Sequence, residues 1–202
     1  WAADNGYSGL EDFAGLPGTI GGAVWMNARC FGSQISDILA GTTILDERLE
    51  TAYIPAETGG FGYKKSPFQG RDVALIAAAL SLRPGDTAVI AEKTAARRAE
   101  REEKGHFRLP SAGSVFKNNA EHGKPAGKII EELGLRGEKS GGAMIAPWHG
   151  NFIVNSGGAA ADDVKRLITM AEEKALQTFG IRLEREIILA GAFAGETVFD
   201  RQ

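Results

Sequence analysis

The run Gly15-Leu-Pro-Gly-Thr-Ile-Gly-Gly-Ala-Val-Trp-Met-Asn-Ala28 constrains this chain more than any other stretch. Four of its first eight residues are glycine (Gly15, Gly18, Gly21, Gly22), and Pro17 stiffens the approach to them. Glycine tolerates positive φ and admits another group close to the backbone. Free N–H groups in such a loop form a concavity suited to an anion. Ala23, Val24 and Met26 follow at once, so the loop is expected to hand over to a buried strand. Two roles stay open on this stretch alone: an anion cradle, or a turn packed under a sheet.

At 202 residues the chain can bury a real core, as one domain or two small ones. A net charge of −3 argues against a nucleic-acid partner. Arg97, Arg98 and Arg101 alternate with acids and read as a solvated helix face. No apolar run reaches the length of a membrane span, and no signal peptide is visible. Cys30 is the only cysteine, which excludes an internal disulfide and matches a reducing, cytoplasmic setting. With no base beside it in sequence, Cys30 is expected to be a small buried filler.

Periodicity predicts a mixed, α+β chain. A helical tail should end at Gly6, and Ser33–Asp37 should turn. Thr42–Leu45 and Leu49–Ile54 have strand composition around Asp46-Glu-Arg48, which predicts a hairpin. Asp72–Leu82 is nearly all apolar and predicts a buried strand. Asp86 should cap a helix running towards Lys104, with a seam between two modules at Gly105. Pro110–Asn118 reads as a loop entering a short strand, and a short helix follows from Pro125 to Gly134. Ala143–Ile145 and Phe152–Val154 are strand candidates. The strongest helix starts at Asp162 or Asp163 with Val164, Leu167, Ile168, Ala171, Leu176 and Phe179 as its stripe. Ile181–Leu189 alternates apolar and charged residues, predicting a final half-buried strand.

The common catalytic and nucleotide-binding motifs are absent, and His106, His122 and His149 lack metal-ligand spacing. What remains are polar residues in glycine-rich loops. Ser114 follows Ala112-Gly113; as a nucleophile it needs a neighbouring base, and as an acid it needs a strongly basic partner such as an enolate. Lys104, Lys117 and Asn118 could grip a phosphate-bearing ligand, while Tyr63-Lys64 after Gly62 could present an aromatic ring and a cation. Glu186 falls on the polar face of the last predicted strand. A turn serine, solvated loops and an exposed carboxylate explain the same residues equally well.

Read in order, the segments resemble one family. Gly9-Leu-Glu-Asp-Phe-Ala-Gly-Leu-Pro-Gly-Thr-Ile-Gly-Gly-Ala-Val-Trp-Met-Asn-Ala28 is similar to the flavin-binding stretch of the UDP-N-acetylenolpyruvoylglucosamine reductases, the MurB family. Matching blocks follow in the family's order: Gly32 with Ile35-Ser-Asp37, Phe61–Phe68, Arg101 with Lys104, Pro110–Asn118, Ala126–Gly137, Gly141–Ile145, His149–Asn155 and Leu183–Glu186. The resemblance implies the C-terminal part of a type-2 (PCMH-like) FAD-binding domain, residues 1–105 with 181–202 returning to it. It also implies a small α+β substrate-binding domain, residues 106–180.

The activity so implied is oxidoreductase chemistry in peptidoglycan synthesis: reduction of UDP-N-acetylglucosamine enolpyruvate to UDP-N-acetylmuramate, with FAD as cofactor and NADPH as reductant. Ser114 matches the proton donor to an enolate, Glu186 the catalytic carboxylic acid, and Lys64 the position of an enolate-stabilising arginine. Pro17, Gly18, Thr19, Gly21, Gly22, Ala23, Asn27 and Ile35 match cofactor-binding positions. Tyr63, Lys64, Arg101, Lys104, Gly113, Lys117, Asn118 and His149 match substrate-binding ones.

The chain departs from the family in having Lys64 for arginine and Lys65 for aspartate. A lysine keeps the charge but loses the planar two-pronged grip on a carboxylate. The short span from Phe68 to Ser114 points to the family subtype without an extra tyrosine loop. Family members also carry an N-terminal portion with another glycine-rich FAD-holding loop. The resemblance therefore implies a truncated chain that holds FAD poorly unless a second polypeptide supplies that segment. Two other readings compete: a non-catalytic domain that binds the UDP-sugar through Lys104 and Asn118, and a different FAD-linked oxidoreductase. The Ser114 and Glu186 blocks argue against the latter.

Overall fold

The structure is a computed structural model that describes residues 1–193 and 196–199. It is α+β and divides into two compact units, Trp1–Glu100 and the described residues from Arg101 onward.

The first unit opens with turns rather than a helical tail, a short bridge of Tyr7–Ser8 to Arg83–Pro84, and a 3-10 turn at Glu11–Phe13. The glycine-rich run then enters a six-residue helix, α1 (Ile20–Trp25), not the buried strand expected. The reason is local. Thr19 is extended and its Oγ1 accepts the amide of Gly22 at 3.0 Å, an N-cap that nucleates a helical turn before any strand partner is met. Beyond it, Arg29–Cys30 bridges Ser33–Gln34, with free Cys30 only half-buried rather than a buried filler.

Strand β1 (Leu39–Leu45) pairs antiparallel with β2 (Thr51–Pro55) in the predicted hairpin, Leu45 opposite Thr51. Asp46 shapes the turn by accepting the amides of Arg48 and Glu50 at 2.9 Å each. Strand β3 (Ala74–Leu80) pairs on the other side of β1, giving the order β2-β1-β3. The apolar run predicted as a buried strand is thus an edge, with Ile76 55% exposed. Small alanines leave it apolar without requiring that it be covered. The core of this unit gathers Val24, Ala28, Ile35, Leu39, Ile44 and Phe68.

Helix α2 (Thr87–Glu103) begins where Asp86 Oδ1 accepts the amides of Ala88 and Val89. The division between the units falls inside this helix.

The second unit is built on β4 (Ser111–Ser114), α3 (Ala126–Glu132), β5 (Lys139–Ser140), β6 (Ala143–Ile145), β7 (Phe152–Asn155) and α4 (Ala161–Phe179). Its antiparallel sheet has the order β4-β7-β6-β5. Alternation along β7 serves two cores. Ile153 packs with Val115, Phe116, Ile130, Leu167 and Ile168, while Phe152 and Val154 pack with Ala146, Leu109 and Trp148. Helix α4 buries Leu167, Ile168, Ala171 and Ala175, the stripe spacing of a helix laid on a core, whereas Leu176 and Phe179 of the expected stripe are exposed because Ala175 takes the core position in the last turns. Asp163 accepts the amide of Ala160 at 2.9 Å at one end, and Gly180 closes the other with φ +69°.

The final strand expected over Ile181–Leu189 is absent. The segment alternates half-buried and exposed from Ile181 to Arg185 and then loses the alternation, with Glu186 half-buried and Ile188 exposed; among the described residues it makes one bridge, Arg185 to Phe116. A hairpin of β8 (Ala190–Phe193) and β9 (Glu196–Phe199) ends the described chain. Among the described residues no helix is long and apolar enough to cross a membrane.

Candidate active site

In the first unit the glycine-rich run wraps a cavity of about 250 Å³ lined by Ile20, Gly21, Val24, Thr42 and Leu75–Ala78. Thr42 is 1% exposed, and its Oγ1 has no hydrogen-bond partner among the described residues. A buried, unpaired hydroxyl is costly, and this one belongs to a residue in the cavity wall. Pro17, Gly18 and Thr19 lie exposed beside it. Gly18 has φ +113° and nothing within 4 Å of where a Cβ would stand, leaving its backbone open to a ligand. Gly21, Gly22 and Ala23 form the first turns of α1.

Asn27 and Ile35 are spent differently. Asn27 is 1% exposed, with Nδ2 donating to the Gly62 carbonyl (2.9 Å) and to Gln34 Oε1 (3.3 Å), and Oδ1 accepting the Ser36 amide (3.0 Å). The Ile35 side chain is in the core at 2% exposure. Both shape the loop from inside.

Asn27 leads to the Tyr63-Lys64 turn. Gly62 and Lys65 exchange backbone hydrogen bonds (3.0 and 3.2 Å), and Lys64 between them has φ +55°. Gln69 braces this turn: its Nε2 donates to the carbonyls of Trp25 (2.9 Å) and Lys64 (3.1 Å). The Lys64 ammonium stands 6.0 Å from the centroid of the exposed Tyr63 ring.

In the second unit Ser114 is half-buried at the end of β4, opposite Phe152. Gly113 precedes it with φ +83° and open space where a side chain would be. The segment after Ser114 is held on two sides. On one, Asn151, 4% exposed, accepts the Phe116 amide (2.9 Å) and donates to the Phe116 carbonyl (2.8 Å). On the other, Glu186 donates its amide to the Val115 carbonyl (2.7 Å), and Lys117 donates its amide to the Glu184 carbonyl (2.8 Å). Ser114 and Glu186 are thereby brought to neighbouring positions on adjacent backbones, although 72 residues of sequence, 186 − 114, separate them.

The neighbouring candidates carry structural duties too. Lys117 Nζ pairs with Glu184 at 2.6 Å, and Asn118 Oδ1 accepts the first amide of α3, from Ala126, at 2.9 Å. Arg101 is 5% exposed, and Lys104 is exposed at the end of α2.

His149 stacks on Phe152 at 4.2 Å and meets His106 edge-on at 6.0 Å. Its Nδ1 accepts the Asn151 amide at 3.2 Å, so in the neutral ring the proton sits on Nε2. Burial, and then the charges of Arg136 and Lys104, lower the pKa of His149. Burial, followed by Arg101, His149 and Lys104, brings His106 down to about 4. Both rings are therefore neutral at physiological pH.

Thr42, Gln69, Asn151 and His106 did not stand out in the sequence. Thr42 and Asn151 matter only because of partners, or the lack of them, across the fold, and no local pattern encodes that.

Residues 105–190 match the family described as UDP-N-acetylenolpyruvoylglucosamine reductase, C-terminal domain. The reductase of that name from Borreliella burgdorferi is 43% identical over 190 residues, covering 94% of this chain and 63% of the relative. The one from Treponema denticola is 44% identical over 203 residues, with 95% and 63% covered. The crystal structure of the reductase from Thermus caldophilus superposes with a TM-score of 0.76 at 34% identity, covering 92% of this chain and 65% of that one. The chain spans a little under two thirds of the length of these relatives. Over the length it has, the chain belongs to the UDP-N-acetylenolpyruvoylglucosamine reductase (MurB) family.

Proposed function

We propose that this chain acts in the reduction of UDP-N-acetylglucosamine enolpyruvate to UDP-N-acetylmuramate, as a flavin-dependent enzyme of peptidoglycan synthesis in the cytoplasm. The observation that carries the reading is the hydrogen bond from Glu186 to Val115, which sets a carboxyl-bearing residue beside the segment of Ser114. In this reading the first unit belongs to the FAD-binding domain, and residues 106–180 form the substrate-binding domain.

The first unit suits a flavin on its own evidence. The side chains lining the cavity under α1 are apolar apart from that of Thr42, and Gly18 leaves its backbone open. An apolar ring with polar edges, continuing into a pyrophosphate, has that character. Pro17, Gly18, Thr19, Gly21, Gly22 and Ala23 would hold it, with Asn27 and Ile35 shaping the loop. When bound and reduced by NADPH, FAD supplies a hydride to the β-carbon of the enolpyruvyl group.

The protein's own task is to manage the charge that remains. Addition at the β-carbon leaves an enolate across the α-carbon and carboxylate, basic enough to take a proton from a hydroxyl. Ser114 Oγ gives that proton to the α-carbon, completing the lactyl group, and solvent restores the hydroxyl. Glu186 as the acid and Lys64 as the cation stabilise the developing negative charge, the kind of term that dominates such barriers. Tyr63, Arg101, Lys104, Gly113, Lys117, Asn118 and His149 bind the UDP-sugar. The neutral Nε2–H of His149 suits it as a donor to a sugar or diphosphate oxygen.

The test begins with an absorbance spectrum of the purified chain after incubation with FAD. A saturable shift of the flavin bands on titration with FAD is expected, from binding too weak to survive desalting, and no shift at any FAD concentration counts against the cofactor half of the reading. Ser114→Ala should cost about 10²–10⁴-fold in turnover. Full turnover in that variant rules out the proton donor.

A further inference from the structure

Glu186 sits on a segment with neither a helix nor a strand ladder to fix it. From 181 to 189 the backbone touches the rest of its unit at spaced points: the bridge of Arg185 to Phe116, and the bonds of 184–187 to Val115 and Lys117. An ion pair adds to these contacts. The Arg185 guanidinium forks onto Glu172, Nε to Oε1 at 2.5 Å and Nη2 to Oε2 at 2.7 Å. Both side chains are mostly buried, 33% and 25% exposed. A two-pronged pair fixes direction as well as distance.

Glu172 follows Ala171, one of the residues that seat α4 in the core, so the fork ties the segment to a helix anchored in the core of the unit. Leu183 and Ile187 pack on the core cluster, and Arg185 between them reaches α4. Glu184 is exposed and meets Lys117, while Glu186 is half-buried.

We propose that Glu172 and Arg185 are positioning residues, whose fork holds the 183–187 segment in the register that presents Glu186 beside Ser114. The functional half of this inference rests on the roles given to Ser114 and Glu186 above; the positional half does not.

The test is amide hydrogen exchange on the full chain, comparing Glu172→Gln, Arg185→Leu and the charge swap Glu172→Arg with Arg185→Glu. The single variants should speed exchange at the Glu186 and Lys117 amides about tenfold while Ile145 and Val154 in the sheet stay protected. The swap should restore most of that protection. Unchanged exchange at Glu186, or a rise shared by every amide in the unit, overturns the proposal. With substrate and flavin, the single variants should lower kcat and leave KM unchanged; a rise in KM alone also overturns it. If Glu186→Gln keeps full turnover, the catalytic reading of Glu186 fails, and the exchange result still decides the fork.

Discussion

The side-chain amide of Asn151 pairs with both backbone groups of Phe116, accepting its N–H at 2.9 Å and donating to its C=O at 2.8 Å. This is a ladder rung made by a side chain, just beyond the Phe152–Ser114 pair at which the pairing of β4 and β7 ends. Phe116 is 2% exposed, so without Asn151 its two polar groups would be buried and unpaired. Asn151→Ala should therefore destabilise the chain by about 2–4 kcal/mol, read from chemical denaturation. A loss well under about 1 kcal/mol would show that water or a shifted backbone replaces the rung.

Thr42 carries the opposite expectation. Replacing it by valine keeps the shape and removes a buried hydroxyl that has no partner among the described residues. Thr42→Val should raise the stability of the flavin-free chain by about 1 kcal/mol in a thermal melt. A drop in melting temperature would mean that the hydroxyl is satisfied in solution.

Lys64 tests the departure from the family pattern. Lys64→Arg supplies a planar fork in place of a point charge and should preserve or raise turnover. Lys64→Met should lower it about tenfold or more. A large loss in the arginine variant would show that the φ +55° turn braced by Gln69 is shaped for lysine.

Acid should loosen the second unit through His106. Its pKa is about 4 in the fold and near 6.5 when unfolded, so between those values the unfolded chain binds the extra proton. The stabilisation is complete above pH 6.5 and is lost as the pH falls towards 4. Allowing for solvent screening of a partly exposed ring, this amounts to roughly 1–2 kcal/mol. Melting temperature should fall between pH 7 and pH 5, and His106→Gln should flatten that slope. An unaltered slope would assign the acid sensitivity to other groups.

Where the sequence was legible, the signal was local. The Asp46 hairpin, the Asp86 cap and the α4 stripe each repeat a spacing that backbone geometry imposes, and each element formed where its pattern lies. The failures had tertiary causes. Apolarity along Ala74–Leu80 was read as burial, but the strand is an edge. Alternation along 181–189 was read as a ladder, but one bridge and a salt-bridge fork hold it. Ser114 and Glu186 could be singled out only through family resemblance, because nothing within ten residues of either announces the other.

The same edge strand has a consequence for the chain's behaviour in bulk solution. None of the seven residues of β3 is charged or proline, so nothing along that rim refuses an incoming strand. A single lysine in place of Ala79, exposed on this strand and outside the cavity lining, would touch no proposed catalytic or cofactor-binding group, yet it would change how much of the protein stays dispersed at high concentration. At that position, colloidal behaviour and chemistry can be tuned independently.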